Sequence, residues 1–307
     1  MGNILSDKSI YMTAIILPAN LTIRQVTLRT RQLAQLNTFY QQMLGLQQIS
    51  STVHEARLSA SGQEPAQLIL LQDEAAPLHK RRQPGLYHVA WLVPNRLELA
   101  RALNHFIQTK WPLQGFGDHL VSEAIYFADP DGNGIEVYAD RPRETWPIVN
   151  GQVQMDTLPV DVPGLLAQLP GNLPEWQGLH PGTFIGHIHL QVSSLAQARS
   201  FYADTLGFNV MQESYPGALF VAAGGYHHHI GLNTWHSQNA TPGPENQTGL
   251  VSFTVHLPDI QVFAQLKNKL MNTQYFVKAT NENSLLVQSP DMLTIKIDAG
   301  ENTTGSN

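Results

Sequence analysis

The sequence predicts an α+β fold in which one small unit, made of a strand, a helix and several further strands, occurs four times. Two internal alignments support this prediction. Residues 37–46 align with residues 199–208 at a constant offset of 162, and residues 85–94 align with residues 249–258 at an offset of 164. A repeated unit that cannot bury its own sheet face alone must stack against a sibling. The four copies are therefore expected to pair and to leave a cleft between them.

Each copy begins with a short strand, at residues 23–28 in the first copy and at residues 185–192 in the third. The helix that follows ends at a glycine suited to the left-handed position after a helix, which is Gly45 in the first copy. Its apolar residues recur at helical spacing. In the first copy this stripe consists of Leu33, Leu36, Tyr40 and Met43.

The last strand is marked most clearly in the second and fourth copies, at residues 134–139 and 294–298. The turn Asp129–Gly134 that precedes the first of these has the sequence Asp-Pro-Asp-Gly-Asn-Gly, which contains the residue types that tight turns favour. A four-residue length difference separates the two copies before this strand. With that difference included, Lys296 aligns with Glu136.

The copies span about residues 21–75, 84–141, 183–236 and 248–299. The stretch between the second and third copies is rich in proline and glycine and is predicted to be a linker. The expected organisation is an N-terminal extension (1–20), copies one and two (21–142), the linker (143–182), copies three and four (183–299) and a disordered tail (300–307).

Composition excludes several classes of function. The net charge is −6 and the one basic cluster, residues 79–82, is short, so nucleic acid is not an expected partner. The absence of cysteine excludes disulfides, thiolate metal sites and thiol nucleophiles. No apolar stretch reaches about 18 residues, so we expect no membrane span. A cytoplasmic protein that forms a homo-oligomer is the general expectation. Residues Met1–Ser6 fit an N-myristoylation pattern, but no polybasic segment follows them.

Two histidines and one carboxylate carry the predicted chemistry. His88 and His187 occupy the same place in the first strands of the second and third copies, and Glu136 lies in the last strand of the second. Alternation places His187, His189 and Gln191 on one face of their strand. Two imidazoles and a carboxylate form the facial triad that leaves open positions on non-haem Fe(II).

Each of these residues also has an ordinary structural explanation. His88 alone is more often a hydrogen-bonded core histidine than a metal ligand. A buried glutamate such as Glu136 is costly unless it is paired, and Arg141 or Arg143 would be a suitable partner. The repeat favours the metal site, because the two histidines recur at one position of the unit.

Three consecutive histidines, His227, His228 and His229, are expected to lead into a strand that begins near Ile230. Within a strand His227 and His229 would share a face, and Gly231 would leave room beside them. A histidine at this place suits acid–base catalysis because its pKa lies near neutrality. His119, in a short loop, is a weaker candidate for the same role.

Three segments resemble the vicinal oxygen chelate superfamily, which contains glyoxalases, bleomycin resistance proteins and extradiol dioxygenases. They are residues 129–136, 186–190 and 224–233. The triple-histidine segment is the most specific, and with it the chain most resembles the Bacillus-type catechol 2,3-dioxygenases. The resemblance covers nearly all of residues 21–299. It implies four βαβββ modules that form two paired-module domains, with curled mixed sheets around a metal cleft.

The resemblance also implies roles for individual residues. His88, His187 and Glu136 would bind a divalent metal, with Fe(II) favoured and Mn(II) as the alternative. His229, or else His227, would be the acid–base group. Two further active-site residues are implied, a substrate-contacting phenol and a histidine near a known active-site position; they are Tyr126 and His119.

This sequence departs from the well-studied extradiol enzymes, in which the third and fourth modules meet at the metal. The fourth module has Ser252 where a histidine is expected, and Lys296 stands where the second module has Glu136. An ammonium group at that place would repel a cation. Modules two and three are therefore expected to face each other across the metal, and modules one and four, with Gln25, to form a metal-free pair.

Three functions follow, in order of preference. The first is an extradiol ring-cleaving dioxygenase that acts on a catechol-type aromatic diol with O2. The second is a glyoxalase-type isomerase or lyase with Ni(II) or Zn(II), which usually needs two carboxylates. The third is a non-enzymatic binding protein of the antibiotic-sequestration kind, in which Trp91, Tyr126 and Trp235 would line the clefts for a flat ligand.

Overall fold

The structure of the protein is a computed structural model that describes residues 15–300. The acylation pattern at Met1–Ser6 lies outside the described residues, as do residues 301–307 of the predicted tail. Within the described part, no helix is long and apolar enough to cross a membrane.

The described chain contains five α-helices. A π-helical turn, Ser200–Thr205, continues the fourth of them, and a 3₁₀ turn covers Arg143–Thr145. The helices are α1 (Leu33–Met43), α2 (Arg96–Thr109), α3 (Val162–Leu166), α4 (Leu195–Arg199) and α5 (Ile260–Leu270).

Eighteen β-strands make up most of the remaining ordered chain of residues 15–300. They are β1 (Thr22–Thr30), β2 (Gln47–Ser51), β3 (Glu55–Ser59), β4 (Leu68–Gln72), β5 (Gly85–Leu92), β6 (Leu113–Asp118), β7 (Ser122–Ala128), β8 (Gly134–Asp140), β9 (Ile148–Val149), β10 (Gln152–Val153), β11 (Phe184–Gln191), β12 (Asn209–Gln212), β13 (Ala218–Ala222), β14 (Ile230–Asn233), β15 (Gly249–Leu257), β16 (Phe276–Asn281), β17 (Ser284–Gln288) and β18 (Thr294–Ala299).

Two eight-stranded mixed sheets organise these strands. Sheet A has the order β16-β17-β18-β15-β1-β4-β3-β2, and sheet B has the order β12-β13-β14-β11-β5-β8-β7-β6. The two central strands of each sheet are antiparallel, and each has a parallel neighbour on its outer side. The predicted α+β class with mixed sheets is confirmed.

The pairing of strands in sheet B has a direct consequence for the site. Strand β5, which carries His88, is the neighbour of β11, which carries His187, and β8, with Glu136, lies on the other side of β5. Four times along the chain a strand is followed by a helix and three strands. That these stretches are copies of one module stays an interpretation of the sequence.

Alternation along β11 separates the core from the site. Ile188 and Leu190 are fully buried in the core that joins both sheets and the helices. His187, His189 and Gln191 point to the opposite face and line a cavity, as predicted. Because side chains alternate along a strand, one sequence can satisfy an apolar core on one face and a polar site on the other.

The turn between β7 and β8 fixes the start of the strand that carries Glu136. The Asp129 carboxylate accepts hydrogen bonds from the backbone N–H groups of Asp131 and Asn133 and from the side chain of Asn133. Tyr40 of α1 donates a further hydrogen bond to Asp129 Oδ2 at 3.0 Å. Burial raises the pKa of Asp129 to about 6. These contacts tie helix α1 to the entrance of β8.

The predicted linker, residues 143–182, packs against sheet B. Trp146, Val153 and Met155 form an apolar cluster with Met211 of β12 and Phe220 of β13, two strands of sheet B. The short hairpin β9–β10 lies within this segment. Each large sheet takes strands from both halves of the chain. The division into two domains at residues 143–182 stays a prediction.

Candidate metal centre and active-site cavity

A cavity of about 730 Å³ opens on the polar face of sheet B. Strands β5, β8 and β11 supply its floor, because His88, Glu136 and His187 all line it. Its size lies within the range of pockets that hold small organic ligands. The sheet therefore presents its three candidate metal ligands to a space that a ligand can enter.

The side chains of His88, Glu136 and His187 converge. One ligand atom from each residue lies within 4.8 Å of the others. His88 Nε2 is 2.9 Å from Glu136 Oε2, and His187 Nε2 is 3.1 Å from the same oxygen. The three residues are 6%, 2% and 2% exposed. The structure thus brings together the three residues that the sequence selected as metal ligands.

Hydrogen bonding within this trio is incomplete. His187 Nε2 bonds to Glu136 Oε2, whereas His88 Nε2, although close to the same oxygen, makes no hydrogen bond of acceptable geometry in the described part of the chain. Buried polar atoms without a partner are rare, because desolvation without a hydrogen bond is costly. Two imidazole nitrogens and a carboxylate oxygen aimed at one point fit a divalent transition metal.

The protonation states suit metal binding. Burial lowers the pKa of His187 to about 4, so its imidazole is neutral near pH 7. Burial alone would raise the pKa of Glu136, but His187 and His88 beside it hold that pKa well below its ordinary value. Neutral imidazoles and an ionised carboxylate are the forms that bind a cation.

Within residues 15–300, no arginine forms an ion pair with the buried Glu136. Arg141, which the sequence offered as a partner, binds Asp118 and Glu123 instead. Arg143 donates to the backbone carbonyl of Gly224. The alternative of a glutamate neutralised by arginine is therefore wrong.

Tyr87 enters the cavity although strict alternation places it on the face opposite His88. The pairing of β5 with β11 shifts between His189 and Leu190, since His189 pairs with His88 and Leu190 with Leu86. Tyr87 is the extra residue of this β-bulge, and bulges redirect side chains. Its ring centroid lies 5.1 Å from that of His189. The sequence carried no signal for this irregularity.

His189 is the neighbour of the trio on β11. Burial lowers the pKa of His189 well below its ordinary value. Gly231, its partner on β14, leaves room for the ring, because a Cβ at Gly231 would lie 2.9 Å from His189 Cγ. Asn233 Nδ2 lies 3.1 Å from His189 Nε2, so that nitrogen has a hydrogen-bond partner. His189 is thus a cavity wall with a hydrogen-bond partner of its own.

His119 and Tyr126 form a hydrogen-bonded pair at the cavity. His119 Nδ1 lies 2.7 Å from the backbone oxygen of Asp156, so this nitrogen carries the proton and donates it. The other nitrogen, Nε2, therefore accepts from the Tyr126 hydroxyl at 2.6 Å. Burial, followed by the nearby Glu136 carboxylate, raises the pKa of Tyr126 well above its ordinary value. Tyr126 is a protonated phenol directly opposite Glu136 in the β7–β8 pair.

The triple histidine leads into strand β14, which begins at Ile230 as expected. The three residues lie in the connection before that strand, so strand alternation does not put His227 and His229 on one face. His228 lines the cavity, with its ring centroid 4.1 Å from that of His187. His227 bonds Asp140 behind the cavity, and His229 Nδ1 accepts from the backbone N–H of Ala223. Of the three residues, the structure brings His228 to the site.

Two further expectations need correction. Trp91 is fully buried in the apolar core and does not line the cavity, because it lies on the face of β5 opposite His88. Trp235 and Tyr126 do line it, as expected. The linker, which was expected only to connect the modules, contributes Met155 and Asp156 to the wall. Its proline and glycine content gave no indication of that contact.

The chain matches the family described as the Glyoxalase/Bleomycin resistance protein/Dioxygenase superfamily over residues 22–137 and 184–275. It is 44% identical over 275 residues to the catechol-2,3-dioxygenase of Bacillus subtilis (strain 168), an alignment that covers 89% of this chain and 92% of that protein. The chain therefore belongs to this superfamily, and the resemblance found in the sequence is confirmed.

Solved structures share the fold at low identity. A Bacillus subtilis protein assigned as a dioxygenase has a TM-score of 0.60 and 14% identity, covering 91% of this chain and 84% of that chain. Glyoxalase I from Zea mays has a TM-score of 0.52 and 10% identity, covering 91% of this chain and 92% of that chain. At these identities the likeness shows the fold and nothing about the reaction.

Proposed function

We propose that the protein is a metal-dependent extradiol ring-cleaving dioxygenase that uses O2 to open a catechol-type aromatic diol. The observation that carries this proposal is the convergence of His88, His187 and Glu136 on the floor of an open cavity. A second line of support is the identity of 44% to a protein named catechol-2,3-dioxygenase. Three protein ligands on one side of an ion leave the other side to substrates.

His88, His187 and Glu136 would hold the metal, with Fe(II) as the proposed ion and Mn(II) as the alternative. A bound Fe(II) would supply Lewis-acid and electron-transfer chemistry at the floor of the cavity. The protein's part is to fix the ligands on three adjacent strands, with His187 neutral and Glu136 anionic as described above. Rigid strands hold such a set more accurately than loops do.

Two groups on the cavity wall would hold or move protons. His228, which lies against His187, is placed to accept a proton from a diol hydroxyl bound near the metal ligands. Tyr126 and His119 line the same space, and the Tyr126 oxygen, whose proton is donated to His119, would accept a hydrogen bond from a substrate hydroxyl. A positioned acid–base group contributes about 10²–10⁴-fold to a rate. We assign that role to His228 in place of His229 and His227.

Aromatic side chains would hold the flat ring of the substrate. Tyr87, Phe220 and Trp235 line the cavity near His189. The rings of Tyr87 and Trp235 meet edge to face, with centroids 5.3 Å apart. Aromatic walls of this kind orient a planar ligand over a small number of polar groups.

The glyoxalase-type isomerase is the weaker alternative. Its second carboxylate would be expected on β14, which pairs with β11 as β8 pairs with β5. The residue there is Gly231, which lies opposite His189. A non-enzymatic binding protein would need none of the three converging ligands. Neither alternative accounts for the trio as well as the dioxygenase does.

The first experiment measures oxygen uptake by anaerobically Fe(II)-loaded protein when catechol or a substituted catechol is added, while absorbance follows a yellow ring-opened product. Uptake matched by product is expected. Glu136→Ala should remove both the metal and the uptake. Lys296→Ala is the matched control, because Lys296 occupies the corresponding place in sheet A and should leave both unchanged.

Other outcomes point elsewhere. Bound metal without oxygen uptake across a panel of substituted catechols would contradict the dioxygenase and favour the isomerase. If the protein binds no divalent metal at all, the remaining candidate function is that of a non-enzymatic small-molecule binding protein. Stoichiometric iron in Glu136→Ala would show that the ligand set is wrong.

A further inference from the structure

A chain of hydrogen bonds leads away from the cavity behind His228. His228 Nδ1 lies 2.7 Å from His227 Nδ1, and His227 Nε2 lies 3.0 Å from Asp140 Oδ1. His227 is fully buried, whereas the Asp140 side chain is 24% exposed. The chain thus begins at the cavity wall and ends at a carboxylate that water can reach.

The Asp140 carboxylate, at the end of this series of hydrogen bonds, determines which histidine nitrogens carry protons. A carboxylate only accepts hydrogen bonds, so the Asp140 oxygen requires a proton on His227 Nε2. In a neutral imidazole the other nitrogen then accepts, which makes His227 Nδ1 the acceptor. His228 Nδ1 must therefore carry a proton and donate it to His227. His228 Nε2 is left as the bare nitrogen.

Neighbouring side chains fix the carboxylate itself. Tyr226 donates to Asp140 Oδ2 at 3.0 Å, so each oxygen of Asp140 accepts one bond from a different residue. The Tyr226 oxygen lies 2.8 Å from the hydroxyl of Tyr138. Tyr138 is fully buried and belongs to β8, the same strand as Asp140. Two hydrogen bonds, from Tyr226 and His227, therefore fix the Asp140 carboxylate, and neither residue lines the cavity.

The other end of the hydrogen-bond chain lies at the cavity wall. His228 lines the cavity, and its Nε2 has no hydrogen-bond partner among residues 15–300. The ring is held between His187 and Phe220, at centroid distances of 4.1 Å and 4.9 Å. A nitrogen that lacks a proton at this place can accept one from a bound diol.

We infer that Asp140 is a positioning residue that acts through His227 to hold His228 as the Nδ1–H tautomer, with its bare Nε2 toward the cavity. The inference rests on the proposed acid–base role of His228. Removing a hydrogen-bond partner that fixes the tautomer of an active-site histidine commonly changes activity by about 10- to 100-fold. Asp140 itself touches neither the cavity floor nor a ligand of the proposed metal site.

The direct test is the tautomer. Protein labelled with ¹⁵N in its histidines and loaded with diamagnetic Zn²⁺ should show, for His228, a protonated Nδ1 and an unprotonated Nε2. His228→Gln identifies the signal by removing it. A proton on His228 Nε2 with an unprotonated Nδ1 would overturn the inference, since His227 would then be the doubly protonated donor.

Substitutions of Asp140 separate positioning from general loss of structure. Asp140→Ala should lower kcat of the Fe(II)-loaded enzyme about 10- to 100-fold, with little change in KM, and should mix the His228 tautomers. Asp140→Asn keeps an oxygen that accepts from His227, so it should restore most of the activity and the Nδ1–H tautomer. An Asp140→Ala variant with wild-type kcat and an unchanged tautomer would contradict the inference.

A matched control lies in sheet A. His256 Nδ1 is 2.7 Å from Asp298 Oδ1. In both histidine–aspartate pairs the histidine is buried and the aspartate is partly exposed. Asp298→Ala removes that pair, as Asp140→Ala removes the other, and should leave kcat and the His228 signals unchanged. If the Fe(II)-loaded wild type takes up no oxygen with any catechol, the proposed function fails, and the tautomer measurement still decides the role of Asp140.

Discussion

Sheet A and sheet B share one strand order and one register but present different side chains at corresponding positions. Gln25 lies where sheet B has His187, and Lys296 lies where it has Glu136, because the central strand pairs match residue for residue. Within the described residues, one group of side chains can hold a metal ion, and it belongs to sheet B. The same backbone thus carries a candidate metal site in sheet B, whereas sheet A carries none among the described residues.

At the positions of sheet A that correspond to His187 and Glu136, the polar side chains have partners within the chain. Gln25 Nε2 donates to the backbone oxygen of Ala66 at 2.7 Å. His256 bonds to Asp298, and Lys296 Nζ lies 3.9 Å from that carboxylate. In sheet B, by contrast, His88 Nε2 stays without a well-formed hydrogen bond. The candidate metal site thus differs from its counterpart in sheet A by a buried imidazole nitrogen that the described chain leaves without a well-formed hydrogen bond.

We expect the largest loss of metal binding and activity when the residue of sheet A replaces its counterpart in sheet B. In Glu136→Lys the residue of sheet A enters sheet B, where the buried ammonium would repel a cation. We expect complete loss of bound metal and of oxygen uptake, measured by metal analysis and an oxygen electrode. The buried charge should also lower the free energy of unfolding by several kcal/mol, on the order of 3–5.

The reverse exchange is the control for this variant. The Lys296 side chain is 39% exposed, so the carboxylate introduced by Lys296→Glu would be hydrated and not buried. It should retain metal, activity and nearly all stability. Metal bound at wild-type stoichiometry in Glu136→Lys would refute the assignment of Glu136.

The histidine position gives the second contrast. His187→Ala should lose stoichiometric metal while the secondary structure, measured by circular dichroism, stays unchanged, because the side chain is a proposed metal ligand that faces the cavity and contributes little to the core. Gln25→Ala at the corresponding place should keep the metal. It should lose about 1 kcal/mol of stability with the hydrogen bond to Ala66. Equal metal contents in the two variants would remove the basis for assigning the site to sheet B.

The sequence predicted the parts of this picture that depend on periodicity. The alternation of β11 indicated that Ile188 and Leu190 face the core and that His187 faces a site. The internal alignment then matched Glu136 with Lys296 across a length difference, and the register of β8 and β18 has the same correspondence. The alternation of side chains along a strand and the alignment of internal repeats depend only on the order of residues, so the sequence alone reveals them.

Other parts depend on irregularities that no period encodes. The bulge that turns Tyr87 into the cavity appears only when two strands are paired. The start of β14 at Ile230 places the triple histidine in a connection, where alternation does not apply, and so His228 was not preferred over His229. The link from His227 to Asp140 joins residues 87 positions apart. Such contacts become visible only in three dimensions.

The triple histidine itself offers a narrower contrast, between neighbours in sequence. His228→Gln should keep the metal but lower kcat about 10²–10⁴-fold, because it removes the proposed acid–base group from the cavity. His229→Gln should keep kcat within a few-fold, since His229 bonds the backbone of Ala223 away from the cavity. Steady-state kinetics of the two Fe(II)-loaded variants decide the assignment. A larger loss in His229→Gln than in His228→Gln would reverse it.

The smallest expected effect concerns the stability that His229 gives as a function of pH. Burial lowers the pKa of His229 to about 3, whereas an unfolded histidine titrates near about 6.5. Between these values the unfolded chain binds one proton more than the folded chain, so stability falls as the pH drops from about 6.5 toward 3. At pH 5 the loss from this residue amounts to about 2 kcal/mol relative to pH 7.

His229→Gln should therefore flatten the dependence of unfolding free energy on pH between 5 and 7. The other buried histidines act in the same direction, because burial also lowers the pKa of His189 and His228. The difference between wild type and variant, measured by urea unfolding at equal metal content, isolates the part due to His229. His54→Gln removes an exposed histidine and should leave the wild-type slope intact. An unchanged slope in His229→Gln would mean that His229 is hydrated in the folded protein, and the placement of its ring against Ala223 would then be wrong.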